Sequence, residues 1–132
     1  VVSSEIELTA TDNPVFGYYS QDDEGVMVVV CDDAACETFS KNKVGDSLTL
    51  ATAVSITLDA DDNPVIVYRG DDFSMVQVVT CADARCEETT VETLRTKGAQ
   101  FVSVAMRKDN TPVIVIGDRG LTVVDCKSPT CE

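Results

Sequence analysis

The chain has 132 residues, enough for one domain that buries about two-thirds of its unfolded surface. Its 23 acidic and 10 basic residues leave a net charge of −13, which repels phosphate backbones and anionic membranes and argues against nucleic acid as a partner. With no histidine and no tryptophan, a Ser-His-Asp triad is impossible within the chain and the strongest sugar-stacking side chain is missing. No apolar run approaches the ~18 residues of a membrane span, so membrane insertion is not expected, and no signal-peptide pattern stands at the N-terminus.

In chain order, one pattern occurs three times. It first reads "TDNPVFGYY…VMVVVCDDAACE" over Thr11–Glu37, then "DDNPVIVYR…VQVVTCADARCE" over Asp61–Glu87, and finally, shortened, "DNTPVIVIG…LTVVDCKSPTCE" over Asp109–Glu132. Pro14, Pro64 and Pro112, with Cys31, Cys81 and Cys126, mark a period of roughly 45–50 residues, within the range of propeller blades. The implied blades run from about 3 to 46, 53 to 97 and 101 to 132, with the outermost strand of the third missing or incomplete.

The middle unit is read as four strands. Val54–Leu58 alternates apolar and polar residues and predicts a strand with two unlike faces. The turn formers Asp59–Asn63 follow, and Pro64 sets the exit. Val65–Tyr68 is apolar on both faces and predicts a strand buried on both, as does its counterpart around Val115. After a turn at Gly70–Phe73, Met75–Thr80 predicts a third strand and Thr89–Leu94 a more polar fourth. No segment sustains a 3.6-residue apolar period, so the fold class is all-β.

The six cysteines form three Cys-x4-Cys units: Cys31 with Cys36, Cys81 with Cys86, and Cys126 with Cys131. Zinc sites draw on Cys-x2-Cys pairs and often on histidine, so three local disulfides stapling hairpins across their turns are the expectation, in an extracellular or otherwise oxidising compartment.

The pattern "D-x-NPV-x-x-Y … V-x-V-x-x-C-x-D-x-x-C" resembles repeats of uncharacterised, exported microbial β-propeller proteins. The resemblance covers nearly the whole chain through turn and core positions. It implies that the first strand of each unit lies nearest a central axis and the fourth lies outermost. Three wedges do not close a ring, and closed propellers have four to eight blades. A two-fold homodimer supplies six, so the expected architecture is a six-bladed β-propeller built from two identical halves, three four-stranded blades per chain. The alternative is a fragment of a longer chain.

Three features are candidates for chemistry. The acidic turns at Thr11–Asn13, Asp59–Asn63 and Asp109–Asn110 carry spaced oxygens, but the repeats do not keep a calcium pattern. The residues are read as turn formers, with no metal and no cofactor expected. The turns between second and third strands place Tyr19, Asp22, Asp23, Arg69, Asp71, Asp72, Phe73 and Arg119 around one mouth of the channel, as a rim for a glycan or protein ligand. The innermost strands align Glu5/Ser55/Ser103 and Glu7/Thr57/Ala105 along the axis. No GxSxG, P-loop or HExxH motif occurs. A non-catalytic assembly or binding module is therefore the reading. The alternative is a carbohydrate-active enzyme, of glycoside hydrolase or lyase type, using paired carboxylates, one with a raised pKa.

Overall fold

The computed structural model describes residues 4–46, 53–70, 74–117 and 119–132. The described residues form strands and connecting turns, with no helix. The strands are β1 (Ser4–Leu8), β2 (Pro14–Ser20), β3 (Gly25–Cys31), β4 (Phe39–Asp46), β5 (Val54–Leu58), β6 (Pro64–Arg69), β7 (Met75–Cys81), β8 (Thr89–Arg95), β9 (Phe101–Met106), β10 (Pro112–Gly117) and β11 (Leu121–Asp125). They make three antiparallel meanders without crossovers: β1-β2-β3-β4, β5-β6-β7-β8 and β9-β10-β11. The strands expected in the middle unit are all present, differing by at most one residue at either end.

Each sheet has two faces, because successive side chains alternate across a strand. Here the forward face is the one turned toward the next sheet in chain order, and the backward face its opposite. Val15, Val26, Val28 and Val30, on the forward face of the first sheet, pack with Ile56, Ile66, Tyr68 and Val79 on the backward face of the second. Val65, Val67, Val76 and Val78, on the forward face of the second sheet, pack with Val102, Val104, Ile114 and Ile116 of the third. The middle sheet is thus covered on both sides, and β6 is buried from Pro64 through Tyr68, as its two-sided apolar sequence requires. The β-branched residues that dominate both layers suit a pleated surface packed face to face. At Gly45 the Tyr68 side chain lies where a Cβ would stand, so the first two sheets meet closely there.

The outer faces differ. In the third sheet Val113 and Val115 are only half-buried, although Val65 and Val67 at the same repeat positions are 1% and 0% exposed. The expectation of a doubly buried strand therefore holds for β6 and not for β10, because no sheet among the described residues covers the forward face of the third sheet. That sheet has three strands, and beside β11 lies a hollow of about 530 Å³ lined in part by Leu94, Ile116 and Val124.

All three cysteine pairs are disulfides: Cys31 bonds Cys36, Cys81 bonds Cys86 and Cys126 bonds Cys131, with Cα separations of 4.8, 4.8 and 4.7 Å. Their placement corrects the expectation of staples between paired strands. Strand register pairs Cys31 with Phe39 and Cys81 with Thr89, so Cys36 and Cys86 are not cross-strand partners. Cys131 likewise lies after β11, the last strand among the described residues. Instead Cys36, Cys86 and Cys131 all sit in loops, at φ 56°, 60° and 64°, and each bridge ties a strand end to its own loop. The physical cause is a tight turn ahead of the second cysteine. Cys131 N–H bonds Ser128 O at 3.1 Å, as Cys36 N–H bonds Asp33 O and Cys86 N–H bonds Asp83 O, and this curls the chain back on the first cysteine before any strand begins. Cys81, Cys86, Cys126 and Cys131 are buried between sheets, whereas the bridge from Cys31 to Cys36 lies on the open backward face of the first. Three disulfides in a chain this short fit an oxidising environment.

Candidate functional site

The sheets stack with β1, β5 and β9 adjacent, which gathers corresponding turns at common ends. At one end stand the β1–β2, β5–β6 and β9–β10 turns with the cysteine loops. Their acidic and hydroxyl side chains bond local backbone. Asp59 Oδ1 accepts from the N–H groups of Asp61 (2.8 Å) and Asn63 (2.9 Å), and Thr9 Oγ1 accepts from those of Thr11 and Asn13. In the cysteine loops the Asp33 carboxylate accepts from the N–H groups of Ala35, Glu37 and Thr38, and Asp83 repeats this with Arg85, Glu87 and Glu88. These backbone donors hold both carboxyls below their ordinary pKa. In the third unit Ser128 stands in that place, and its Oγ accepts from Glu132 N–H at 3.0 Å.

The same end also carries bonds between sheets. Asp12, Asp62 and Asn110 occupy the left-handed region at φ 64°, 63° and 64°, a conformation Asp and Asn tolerate better than other non-glycine residues. The Asp62 carboxylate reaches back to accept from Ala10 N–H of the preceding sheet, at 3.2 and 3.3 Å. Asn110 Oδ1 does the same for Ala60 N–H at 3.0 Å. Arg85 pairs with Asp32 at 3.2 Å, and Asn42 Nδ2 donates to Arg85 O at 2.8 Å, tying the second cysteine loop to the first sheet.

The opposite end carries Asp22, Asp23, Arg69 and Arg119 of the residues expected at a ligand rim. Asp22 is exposed in the β2–β3 turn. Asp23 accepts from Ser20 Oγ at 2.6 Å and pairs with Lys41 at 3.3 Å, and these contacts, the Ser20 bond first, lower its pKa. Arg69 ends β6, its N–H bonded to Ala53 O at 3.1 Å, and Arg119 is exposed before β11. Tyr19 is 4% exposed and belongs to the core between the first two sheets, while its neighbour Tyr18 lies on the outer face under Lys41, whose Nζ is 5.9 Å from the ring centroid. Asp71, Asp72 and Phe73 lie outside the described residues.

Along the adjacent strands β1, β5 and β9, the aligned Glu5 and Ser55 make a specific contact. Ser55, 1% exposed, donates its hydroxyl to the Glu5 carboxylate at 3.0 Å and accepts from Val104 N–H at 3.1 Å, linking β1, β5 and β9 through one side chain. Glu7, Ser103 and Ala105 are exposed. Sequence reasoning did not anticipate the bonds from Asp62 and Asn110, nor the Arg85–Asp32 pair. The signal for the former was available: a short Asp or Asn recurs one or two residues before each repeat proline. No protein-family model matches the chain, and no curated protein matches it significantly.

Proposed function

We propose that this chain is half of a six-bladed β-propeller, closed by a second copy of itself, that serves outside the cell as a non-catalytic assembly or binding module. The observation that carries the reading is the arithmetic of faces. Both interfaces within the chain join a forward face to a backward face, which leaves one backward face on the first sheet and one forward face on the third. The open backward face presents Ile6, Leu8, Phe16 and Tyr18, with the buried Val29 in the same layer. These are the repeat counterparts of Ile56, Leu58, Ile66, Tyr68 and Val79, the surface the second sheet packs against the first. The open forward face presents Val113, Val115 and Val123, counterparts of Val65, Val67 and Val78. Of the seven large apolar residues that are half or more exposed among those described, six lie on these two faces: Ile6, Leu8 and Phe39 on one, Phe101, Leu121 and Val123 on the other. Contiguous apolar surface of this kind marks an association site. Two copies related by a two-fold axis cover all four open faces and give a blade number within the range of closed propellers.

The absence of a catalytic role is supported by the carboxylates. Among the described residues, the carboxyls whose pKa departs from its ordinary value, at Asp23, Asp33, Asp83, Asp109 and Asp125, are lowered by hydrogen bonds and cations. A general acid of the glycosidase kind needs the opposite shift. The rim residues Asp22, Asp23, Arg69 and Arg119 remain the surface offered to a glycan or protein ligand. Light scattering on the unreduced protein tests the assembly. A mass of twice 14.2 kDa is expected, and either a stable monomer or an open-ended polymer overturns the closed dimer.

A further inference from the structure

The bond that the left-handed turn residue makes to the preceding sheet recurs at both interfaces within the chain, with the same direction and the same atoms. The acceptor is a side-chain oxygen of Asp62 or Asn110, and the donor is the backbone N–H of Ala10 or Ala60. The series therefore has two loose ends. Asp12, at φ 64°, holds the acceptor position in the first of the described sheets. Lys108, the repeat counterpart of Ala10 and Ala60, holds the donor position in the last of them. Among the described residues, neither the Asp12 carboxylate nor the Lys108 N–H has a hydrogen-bond partner. The other inter-sheet contacts do not extend in this way. Ala35 and Lys127 stand where Arg85 and Asp32 stand at the first interface, so no ion pair forms between them at a closing contact.

We infer that Asp12 of each copy accepts a hydrogen bond from Lys108 N–H of the other, so that the turn series continues across the closing contact and fixes its register. This rests on the dimeric reading above and specifies how the copies engage. The contact occurs twice per dimer by symmetry. Its acceptor is charged, as at Asp62, and charge-assisted bonds are the stronger class. The apolar faces alone define a broad sliding surface. A bond from one backbone N–H to one carboxylate selects a single alignment.

The test compares Asp12→Ala, Asp12→Asn and the internal control Asp62→Ala in the full chain. Self-association is measured by sedimentation, and amide hydrogen exchange at Lys108 is followed by NMR. Asp12→Ala removes the contact at both closing interfaces and is expected to weaken dimerisation about a hundredfold, about tenfold for each, and to release Lys108 N–H to fast exchange. Asp12→Asn is expected to retain both properties, because Asn110 already performs the same role. Asp62→Ala should leave Lys108 protected and expose Ala10 N–H instead. A parent protein that dimerises with Lys108 exchanging freely, or an Asp12→Ala variant that dimerises with unchanged affinity, overturns the latch while leaving the dimer standing. A monomeric parent overturns the dimer and the latch together.

Discussion

Val67 and Val115 are the same residue at the same repeat position, and the structure gives them different surroundings. Val67 is fully buried against the third sheet, whereas Val115 is half-buried on an open face. Truncating Val67 to alanine removes two carbons, about 1.6 kcal/mol of transfer free energy at ~0.8 kcal/mol per buried carbon. A residual cavity of roughly 50 Å³, at ~24 cal/mol per Å³, adds about 1 kcal/mol. The sum of about 2.5 kcal/mol should lower the melting temperature by roughly 8–10 °C for a chain of this length. Val115→Ala, measured in dilute protein where copies dissociate, should cost about 1 kcal/mol or less and about 3 °C. At high concentration the two variants should converge, because association buries Val115 and makes stability depend on protein concentration. Thermal unfolding followed by far-ultraviolet circular dichroism over a hundredfold concentration range makes the comparison. Equal shifts in dilute solution would refute the assignment of covered and open faces. An arginine at each position sharpens it: Val67→Arg strands a charge between two sheets and should prevent folding, while Val115→Arg should fold and remain monomeric.

Two further outcomes follow from the loops. Each disulfide closes a loop with a sequence separation of 5, so the chain-entropy contribution is small, about 2 kcal/mol apiece. Reduction should therefore lower the melting temperature while the β-sheet dichroism persists below it, and a melting curve indifferent to reductant would count against the staples. Asp33 and Asp83 have folded pKa values depressed below the ordinary 3.8 by backbone donors. Their stabilisation is complete above about pH 5 and is lost as the pH falls through the unfolded value toward the depressed folded values. Urea midpoints should accordingly be flat from pH 6 to about pH 5 with respect to these groups and then decline. Asp33→Ala with Asp83→Ala should flatten the acid limb, and an unchanged limb would show that the loop bonds contribute nothing to folding.

Much of the fold is legible along the chain because its determinants are local. Strand pattern is a matter of neighbours two residues apart, so Val54–Leu58, Val65–Tyr68 and Thr89–Leu94 can be read directly. The Cys-x4-Cys spacing leaves each cysteine one near partner, and the pairs form as read. Even there the spacing did not reveal that Cys36, Cys86 and Cys131 lie in loops at positive φ. In all three that depends on the turn closed onto Asp33, Asp83 or Ser128, and for Cys36 and Cys86 the register of β4 and β8 confirms that they are not cross-strand partners. Tyr18 and Tyr19 are indistinguishable by type. Register with β1 and β3 alone sends one to the core and the other to the outer face.

What the sequence by itself determined, then, is the set of strands, their antiparallel hairpins and their bridged loops, since each is encoded within about 45–50 residues by alternation, turn chemistry and cysteine spacing. Only the tertiary structure decided which faces are covered, which turn side chain reaches which backbone N–H, and why Val67 is buried while Val115 is not. Those contacts join residues roughly 50 positions apart in different sheets, as between Ala10 and Asp62 or Glu5 and Ser55. A repeat writes the same local message in every unit. Its position at the middle or the end of the stack, which sets its energetic role, exists only once the sheets have packed.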